Sequence, residues 1–139
     1  NTSIIIDSYK YIYSFLFFMD DALLEEIEKL KLSGKSIIVE GKKDRAALIG
    51  LGFENQIFTL ARKALFEVVE SFPYKECVIL TDLDKEGKKL FSVLNSELSQ
   101  RGVKVDKRFR NFLFRKTVLR QIEGLCSYVA NLENLKQKS

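Results

Sequence analysis

The stretch SIIVEGKKD at residues 36–44 gives the clearest structural signal in the chain, together with the similar stretch CVILTDLDKEG at residues 77–87. Each begins with a short apolar run of the kind that forms a strand buried on both faces, and each then breaks off into carboxylates and a glycine. Acidic side chains are therefore predicted at the ends of two buried strands. If the second strand continues through Asp82 and Asp84, these two side chains lie on one face and can share a cation. Glu40 has the matching place on the first strand.

Strands alternate with helices along the rest of the chain. Strands are predicted at residues 36–39, 56–60, 77–81 and 103–105, and helices at about 43–51, 63–71, 87–102, 107–116 and 123–135. This alternation predicts an α/β Rossmann-like fold, a four-stranded parallel sheet in the order 2-1-3-4 with helices on both faces. In that order the first and third strands are neighbours, and such sheets bind ligands in the crevice between the carboxyl ends of these strands. Glu40, Asp82 and Asp84 all fall in that crevice.

Acidic groups at the ends of buried strands are costly unless they are solvated or neutralised. A divalent cation in the crevice would resolve this cluster of charge. The alternative is that Glu40 and Asp82 only cap the helices that follow them.

Residues 1–33 are predicted to form an aromatic-rich helical segment, although alternating tyrosines and phenylalanines also fit a strand. The helix is expected to be capped near Asp7 or Ser8, to be interrupted at Asp20 and Asp21, and to end at residues 33–34. Its aromatic side chains are expected to pack on the core or on a second copy of the chain, as in a homodimer. Residues 34–139 form the main domain with a basic C-terminal helical extension, and the whole is expected to be one globular unit.

Composition excludes several classes of function. The 139 residues are 46% hydrophobic, which is ample for one core, and they include no histidine, which excludes Ser-His and Cys-His pairs and histidine-metal sites. No apolar run reaches the roughly 18 residues of a membrane span, and no secretory signal pattern is present, so a soluble, cytoplasmic protein without a membrane partner is expected. Cys77 and Cys126 lack metal-ligand spacing and are expected to be reduced, packed thiols.

Positive charge is concentrated in the C-terminal third. The net charge is only +4, but residues 101–120 hold eight basic residues against Asp106 alone. This asymmetry predicts a polyanionic partner, which we expect to be RNA or DNA. The candidate nucleic-acid-binding residues are Lys42, Lys43, Lys85, Lys88, Arg108, Arg110, Arg115, Lys116 and Arg120.

The sequence IIVEGKKD at 37–44, followed by VILTDLDKEG at 78–87, resembles the Toprim domain shared by topoisomerases, DnaG-type primases, OLD-type nucleases and recombination-mediator proteins. The resemblance covers residues from about 36 to 107. The tail RQIEGL at 120–125, with Ser127 and Tyr128, looks like the stand-alone small Toprim proteins, which are primase-like or related to the ribonuclease that matures 5S ribosomal RNA.

The resemblance implies roles for the acidic residues. Glu40 would be the general acid or base, or a metal-linked carboxylate, and Asp82 and Asp84 would hold Mg²⁺ or Mn²⁺. Such a set can neutralise a phosphate and move a proton without histidine. Gly41 and Gly87 would let the backbone come close to the site.

Three functions remain open at this stage. The first is a metal-dependent phosphodiester nuclease acting on structured RNA or DNA. The second is a catalytically weak nucleic-acid-binding subunit of a ribosomal or replication complex. The third is an aspartate-based phosphotransfer protein, because an Asp-x-Asp pair after an apolar strand also occurs at such sites.

Overall fold

The structure is a computed structural model that describes residues 2–61 and 64–138, without the side chains of residues 2–9, 12–19, 136 and 138. The strands are β1 (Ser36–Val39), β2 (Ile57–Thr59), β3 (Glu76–Leu80) and β4 (Lys104–Asp106). The α-helices are α1 (Thr2–Ser33), α2 (Lys42–Gly50), α3 (Leu65–Ser71), α4 (Lys85–Gln100), α5 (Arg108–Lys116) and α6 (Leu125–Lys138). A short 3₁₀ helix, Ile122–Gly124, precedes α6.

The four strands form one parallel sheet in the order β2-β1-β3-β4, which confirms the predicted order. Ile38 of β1 pairs with Phe58 of β2 on one side and with Ile79 of β3 on the other. Strand β1 is buried along its whole length, and so is β3 after its first residue. Such burial of the central strands on both faces is what their continuous apolar runs predict.

Helices cover both faces of the sheet, as predicted. Alternate residues of β1 and β3 point to opposite faces and enter two hydrophobic clusters. The first cluster combines one face of the sheet with residues of α1, α2, α5 and α6, including Leu23, Leu48, Leu113 and Leu125. The second combines the other face with residues of α3 and α4, including Val69, Leu94 and Leu98. The C-terminal half of α1 therefore belongs to the same core as the sheet.

Helix α1 runs without interruption from Thr2 to Ser33, so the predicted start near Asp7 or Ser8 and the break at Asp20 and Asp21 are wrong. A helix accepts both acids because Asp20 is only half-buried and receives a hydrogen bond from the Tyr128 hydroxyl, while Asp21 is exposed. The helix ends as predicted, where Gly34 takes the left-handed conformation with φ 65°. Among the described residues, no helix is both long and apolar enough to cross a membrane.

Most of the N-terminal aromatic side chains lie outside the part of the chain that the structure describes, so the structure does not test their predicted packing. Tyr11 is described, and it is 78% exposed. The homodimer through this segment therefore stays a prediction.

The two cysteines are free thiols. Cys77 is fully buried in β3, and burial raises its pKa to about 12, so it is unreactive near neutral pH. Cys126 is half-buried at the start of α6.

Candidate functional site

Three carboxylates meet at the carboxyl ends of β1 and β3. Because Val39 is paired with Leu80, Glu40 and Asp82 lie one and two residues beyond the same edge of the sheet. Asp44, in the first turn of α2, joins them. One carboxylate oxygen from each of these three acids lies within 4.8 Å of the others.

Each of the three carboxylates is oriented by a backbone N–H group. The N–H of Asp82 donates to Oε2 of Glu40 at 3.2 Å. The N–H of Gly41 donates to Oδ2 of Asp44 at 3.0 Å, and the N–H of Ile122 donates to Oδ1 of Asp82 at 2.9 Å. Asp44 and Asp82 are therefore held by N–H groups at the starts of helices, where negative charge is favoured, and Glu40 by the backbone that follows β3.

Asp84 does not belong to this group, and its predicted position beside Asp82 on one strand face is wrong. Strand β3 ends at Leu80, and Asp84 is the residue that caps α4. Its Oδ1 accepts a hydrogen bond from the N–H of Gly87 at 2.8 Å. The two-residue alternation of a strand does not apply beyond Leu80, so the spacing of the two aspartates no longer places them on one face.

Asp44 is the site residue that sequence analysis missed. It lies three residues after Gly41, which precedes α2, and its side chain folds back onto the Gly41 N–H as in a capping box. The signal in the sequence is the segment EGKKD at 40–44, in which an aspartate follows the glycine by three residues. A Cβ on Gly41 would meet only Asp44 Oδ2, at 4.0 Å, so this position leaves room for a side chain.

Gly87 lies against the backbone of Asp82. A Cβ at this position would come within 2.0 Å of the Asp82 carbonyl oxygen. The Thr81 hydroxyl donates to the Gly87 carbonyl at 2.7 Å, so the first turn of α4 is fixed to the end of β3. This close approach sets the position from which the Asp82 side chain leaves the backbone.

Arg110, which was predicted to bind nucleic acid, is buried beneath the acidic edge. Only 7% of it is exposed, and its guanidinium donates to the carbonyl oxygens of Thr81 at 3.3 Å and Asp82 at 3.0 Å. It also lies over the ring of Phe91, 4.3 Å from the centroid. Burial lowers the Arg110 pKa, while the nearby carboxylates of Glu40 and Asp82 oppose that shift. Arg110 therefore supports the site from inside the fold.

The C-terminal extension closes against the same edge. The N–H of Leu83 donates to the Arg120 carbonyl at 2.7 Å, and two residues later Ile122 binds Asp82. Gln121 and Glu123 consequently line an open depression of about 350 Å³. The other residues that line it are Glu40, Gly41, Lys42, Lys43, Asp44 and Asp82.

Burial makes Glu40 and Asp44 reluctant to ionise. The pKa of Glu40 is raised to about 7, chiefly by burial, with a further contribution from a hydrogen bond to the Asp82 side chain. Burial also raises the pKa of Asp44. A site that disfavours its own negative charge, and that is built of carboxylate oxygens, fits a hard divalent cation such as Mg²⁺.

The predicted basic residues do not form one group at this edge. Lys42 and Lys43 line the depression, while Lys85 and Lys88 are exposed in the first turn of α4. The remaining exposed ones follow β4 along the chain: Arg108, Arg115 and Lys116 on α5, and Arg120 beyond it. Arg108 forms an ion pair with Glu26 at 3.1 Å.

Comparison with known proteins places the chain in a family. No family model matches it. It is 36% identical to a UPF0292 protein of Methanocaldococcus jannaschii over 116 residues, which cover 78% of this chain and 91% of the relative. It is also 40% identical to a UPF0292 protein of Pyrococcus horikoshii over 104 residues, which cover 73% and 79% of the two chains. A solved structure of a protein from Aquifex aeolicus shares 32% identity with a TM-score of 0.66, over 73% of this chain and 95% of that one. The chain belongs to the UPF0292 family.

Proposed function

We propose that this protein is a metal-dependent, nucleic-acid-processing protein, and specifically a phosphodiester nuclease that acts on structured RNA or DNA. The observation that carries the proposal is the meeting of Glu40, Asp44 and Asp82 at the carboxyl ends of two neighbouring parallel strands. Sheets of this kind bind their ligands at that edge. The resemblance of the two acidic motifs to the Toprim domain supports the same reaction class.

Glu40, Asp44 and Asp82 would hold the divalent ion, Mg²⁺ or Mn²⁺. A bound ion of this kind neutralises charge on a phosphate and lowers the pKa of a coordinated water. Both contributions are what cleavage of a phosphodiester requires.

Glu40 is the residue best suited to transfer a proton. Its pKa is about 7 before an ion binds, so the carboxyl exchanges its proton near neutral pH, and a bound ion would favour the carboxylate that a general base requires. In a chain without histidine, few other side chains have this property. Arg110 keeps the end of β3 in place through the Thr81 and Asp82 carbonyls, so the separation of Glu40 and Asp82 is maintained.

Lysines beside the depression suit an anionic polymer. Lys42 and Lys43 lie on its rim and provide positive charge close to acids that would otherwise repel a phosphate. The exposed cations of α5 extend this charge along the protein surface.

The proposal is tested with purified protein, structured RNA, and single- and double-stranded DNA, each in Mg²⁺, in Mn²⁺ and in chelator. We expect cleavage only with metal, and we expect Glu40→Gln to lower the rate by about 10² to 10⁴, the usual contribution of a positioned acid or base. Glu97→Gln, at an exposed position on α4, is the matched control and should cleave like wild type.

Other outcomes point to the other two functions. Binding without any product, equal in metal and in chelator, would replace the nuclease with a binding subunit. Formation of a phospho-aspartate from a small phosphate donor would indicate phosphotransfer, and Asp82→Asn should then abolish the adduct.

A further inference from the structure

An exposed aromatic ring near the acidic edge has two cations over it. Phe114, near the end of α5, is 41% exposed. The ammonium of Lys88 lies over its ring, 4.7 Å from the centre, and the guanidinium of Arg120 also lies over it, at 5.5 Å. The three side chains come from three separate parts of the chain: the first turn of α4, α5 and the loop that follows α5.

The loop keeps Arg120 in place. Its Nη1 donates to the carbonyl of Thr117 at 3.1 Å and to the carbonyl of Leu119 at 2.8 Å. The cation beside the ring is therefore oriented before any ligand arrives, which lowers the entropic cost of binding.

The surface formed by Phe114, Lys88 and Arg120 is connected to the acidic group by hydrogen bonds. The Arg120 carbonyl accepts the hydrogen bond from the Leu83 N–H, and Ile122 binds the Asp82 carboxylate. Lys88 lies one helical turn after Asp84, whose carbonyl accepts the Lys88 N–H at 3.0 Å. Phe114 and the acidic group are therefore connected through Arg120 and Ile122, and we expect one nucleic-acid strand to contact both.

We propose that Phe114 is a stacking platform for an unpaired base, and that Lys88 and Arg120 bind the phosphates on either side of that base. The inference rests on the proposed function and specifies its substrate class, a single-stranded segment of RNA or DNA. The Lys88 ammonium, on a flexible side chain, would leave the ring for a phosphate, and the exposed ring would then receive the base. A base inside a duplex has both faces covered by its neighbours and cannot use such a platform.

The test uses oligonucleotides of about 12 nucleotides, within the usual size range of single-strand sites, with one central 2-aminopurine among uridines or deoxythymidines. Anisotropy gives the affinity, and quenching of the 2-aminopurine reports stacking. All measurements are made in chelator, so they do not depend on cleavage. Comparing the affinities of the RNA and DNA probes shows which of the two nucleic acids the protein prefers.

We expect Phe114→Ala to weaken single-strand binding by about 5- to 100-fold, the usual contribution of one stacked base, and to abolish the quenching. Phe114→Tyr, which keeps the ring, should bind and quench like wild type. Phe66→Ala is the matched control, because Phe66 is an exposed phenylalanine on α3, and it should change neither signal. Binding of a duplex of the same length should be the same for wild type and Phe114→Ala.

The inference is overturned if Phe114→Ala binds and quenches like wild type, or if it weakens duplex and single strand equally. It is also overturned if wild type does not quench either probe. A protein that binds single strands through Phe114 in chelator, but never cleaves in metal, would keep the platform and lose the nuclease. A protein that cleaves with metal but does not quench the probes would keep the nuclease and lose the platform.

Discussion

The backbone N–H of Asp82 donates to Oε2 of Glu40 at 3.2 Å, so a hydrogen bond joins the ends of β3 and β1 within the group of three carboxylates. This N–H favours the charged form of Glu40, but burial, and after it the neighbouring Asp82 side chain, outweigh it and raise the Glu40 pKa to about 7.

The first prediction concerns pH. The pKa of Glu40 is about 7 in the folded protein against an ordinary value of 4.5, so between these values the folded protein holds a proton that the unfolded chain releases. The contribution of Glu40 to stability is thus present at low pH and is lost as pH rises through this window. We expect a loss of about 1–2 kcal/mol, because solvent screens a partly exposed carboxyl. Glu40→Gln should lack this loss.

Urea unfolding of wild type and Glu40→Gln at about pH 5 and about pH 8 measures this difference. The variant should gain stability relative to wild type at the higher pH, while Glu97→Gln should follow wild type at both. Parallel behaviour of wild type and Glu40→Gln would contradict the raised pKa.

The second prediction separates Asp44, which lies in the group of three carboxylates, from Asp84, which caps α4. Asp44→Asn removes a charge from the group of three carboxylates and should weaken Mg²⁺ binding by at least about tenfold. Asp84→Asn removes the same charge from a helix cap, and asparagine is an equally good cap, so affinity should change by no more than about twofold. Calorimetric titration with Mg²⁺ distinguishes the variants. An equal loss in both would restore Asp84 as a ligand.

The third prediction concerns the buried arginine. Arg110→Met leaves the carbonyls of Thr81 and Asp82 without their donor, and we expect this to cost about 2–4 kcal/mol of unfolding free energy. Arg115→Met, at an exposed position on the same helix, should stay within about 0.5 kcal/mol of wild type. Chemical denaturation compares the two. Equal stability of the two variants would mean that Arg110 has no structural role.

The sheet could be predicted from the sequence because β1 and β3 are continuous apolar runs, which are typical of strands buried on both faces. Glu40 and Asp82 follow those strands directly, so their meeting could also be predicted. Asp44 could not be predicted by the same reasoning, since it reaches the site through the start of a helix. The position of Arg110 was missed because composition counts a buried cation in the same way as an exposed one.

Long-range contacts explain the remaining differences. The hydrogen bond from Ile122 to Asp82 joins residues 40 positions apart and has no periodic signal in the sequence. The basic C-terminal extension therefore looked like a separate surface, although one end of it lines the depression.

The fourth prediction concerns Gly87. Gly87→Ala places a Cβ 2.0 Å from the Asp82 carbonyl oxygen, and backbone at both positions must move to relieve the overlap. We expect a loss of about 1–3 kcal/mol and weaker Mg²⁺ binding, because Asp82 moves with its backbone. Gly124→Ala is the control, since its Cβ would meet only Leu119 Cδ2 at 3.7 Å. If Gly87→Ala unfolds and binds Mg²⁺ like wild type, the packing of α4 on Asp82 does not set the site.

The last prediction concerns salt and the exposed end of α5. Arg115 and Lys116 end this helix and are both exposed, so they are free to contact phosphates where Arg110 is not. Each cation–phosphate contact contributes about 0.7 to 0.9 to the log–log slope of nucleic-acid affinity against salt. The double change of Arg115 and Lys116 to Ala should therefore flatten the slope by about 1.4 to 1.8, with Mg²⁺ affinity unchanged.

The matched control for this measurement changes Lys75 and Lys104 to Ala. These two exposed lysines lie at the starts of β3 and β4, at the opposite edge of the sheet, where the Lys104 N–H donates to the Lys75 carbonyl. The control removes the same charge but no predicted contact, so its slope should equal that of wild type. If both double variants flatten the slope equally, nucleic acid is held by net charge alone. If neither does, the phosphates are bound beside the acidic depression, where Lys42 and Lys43 provide the nearest cations.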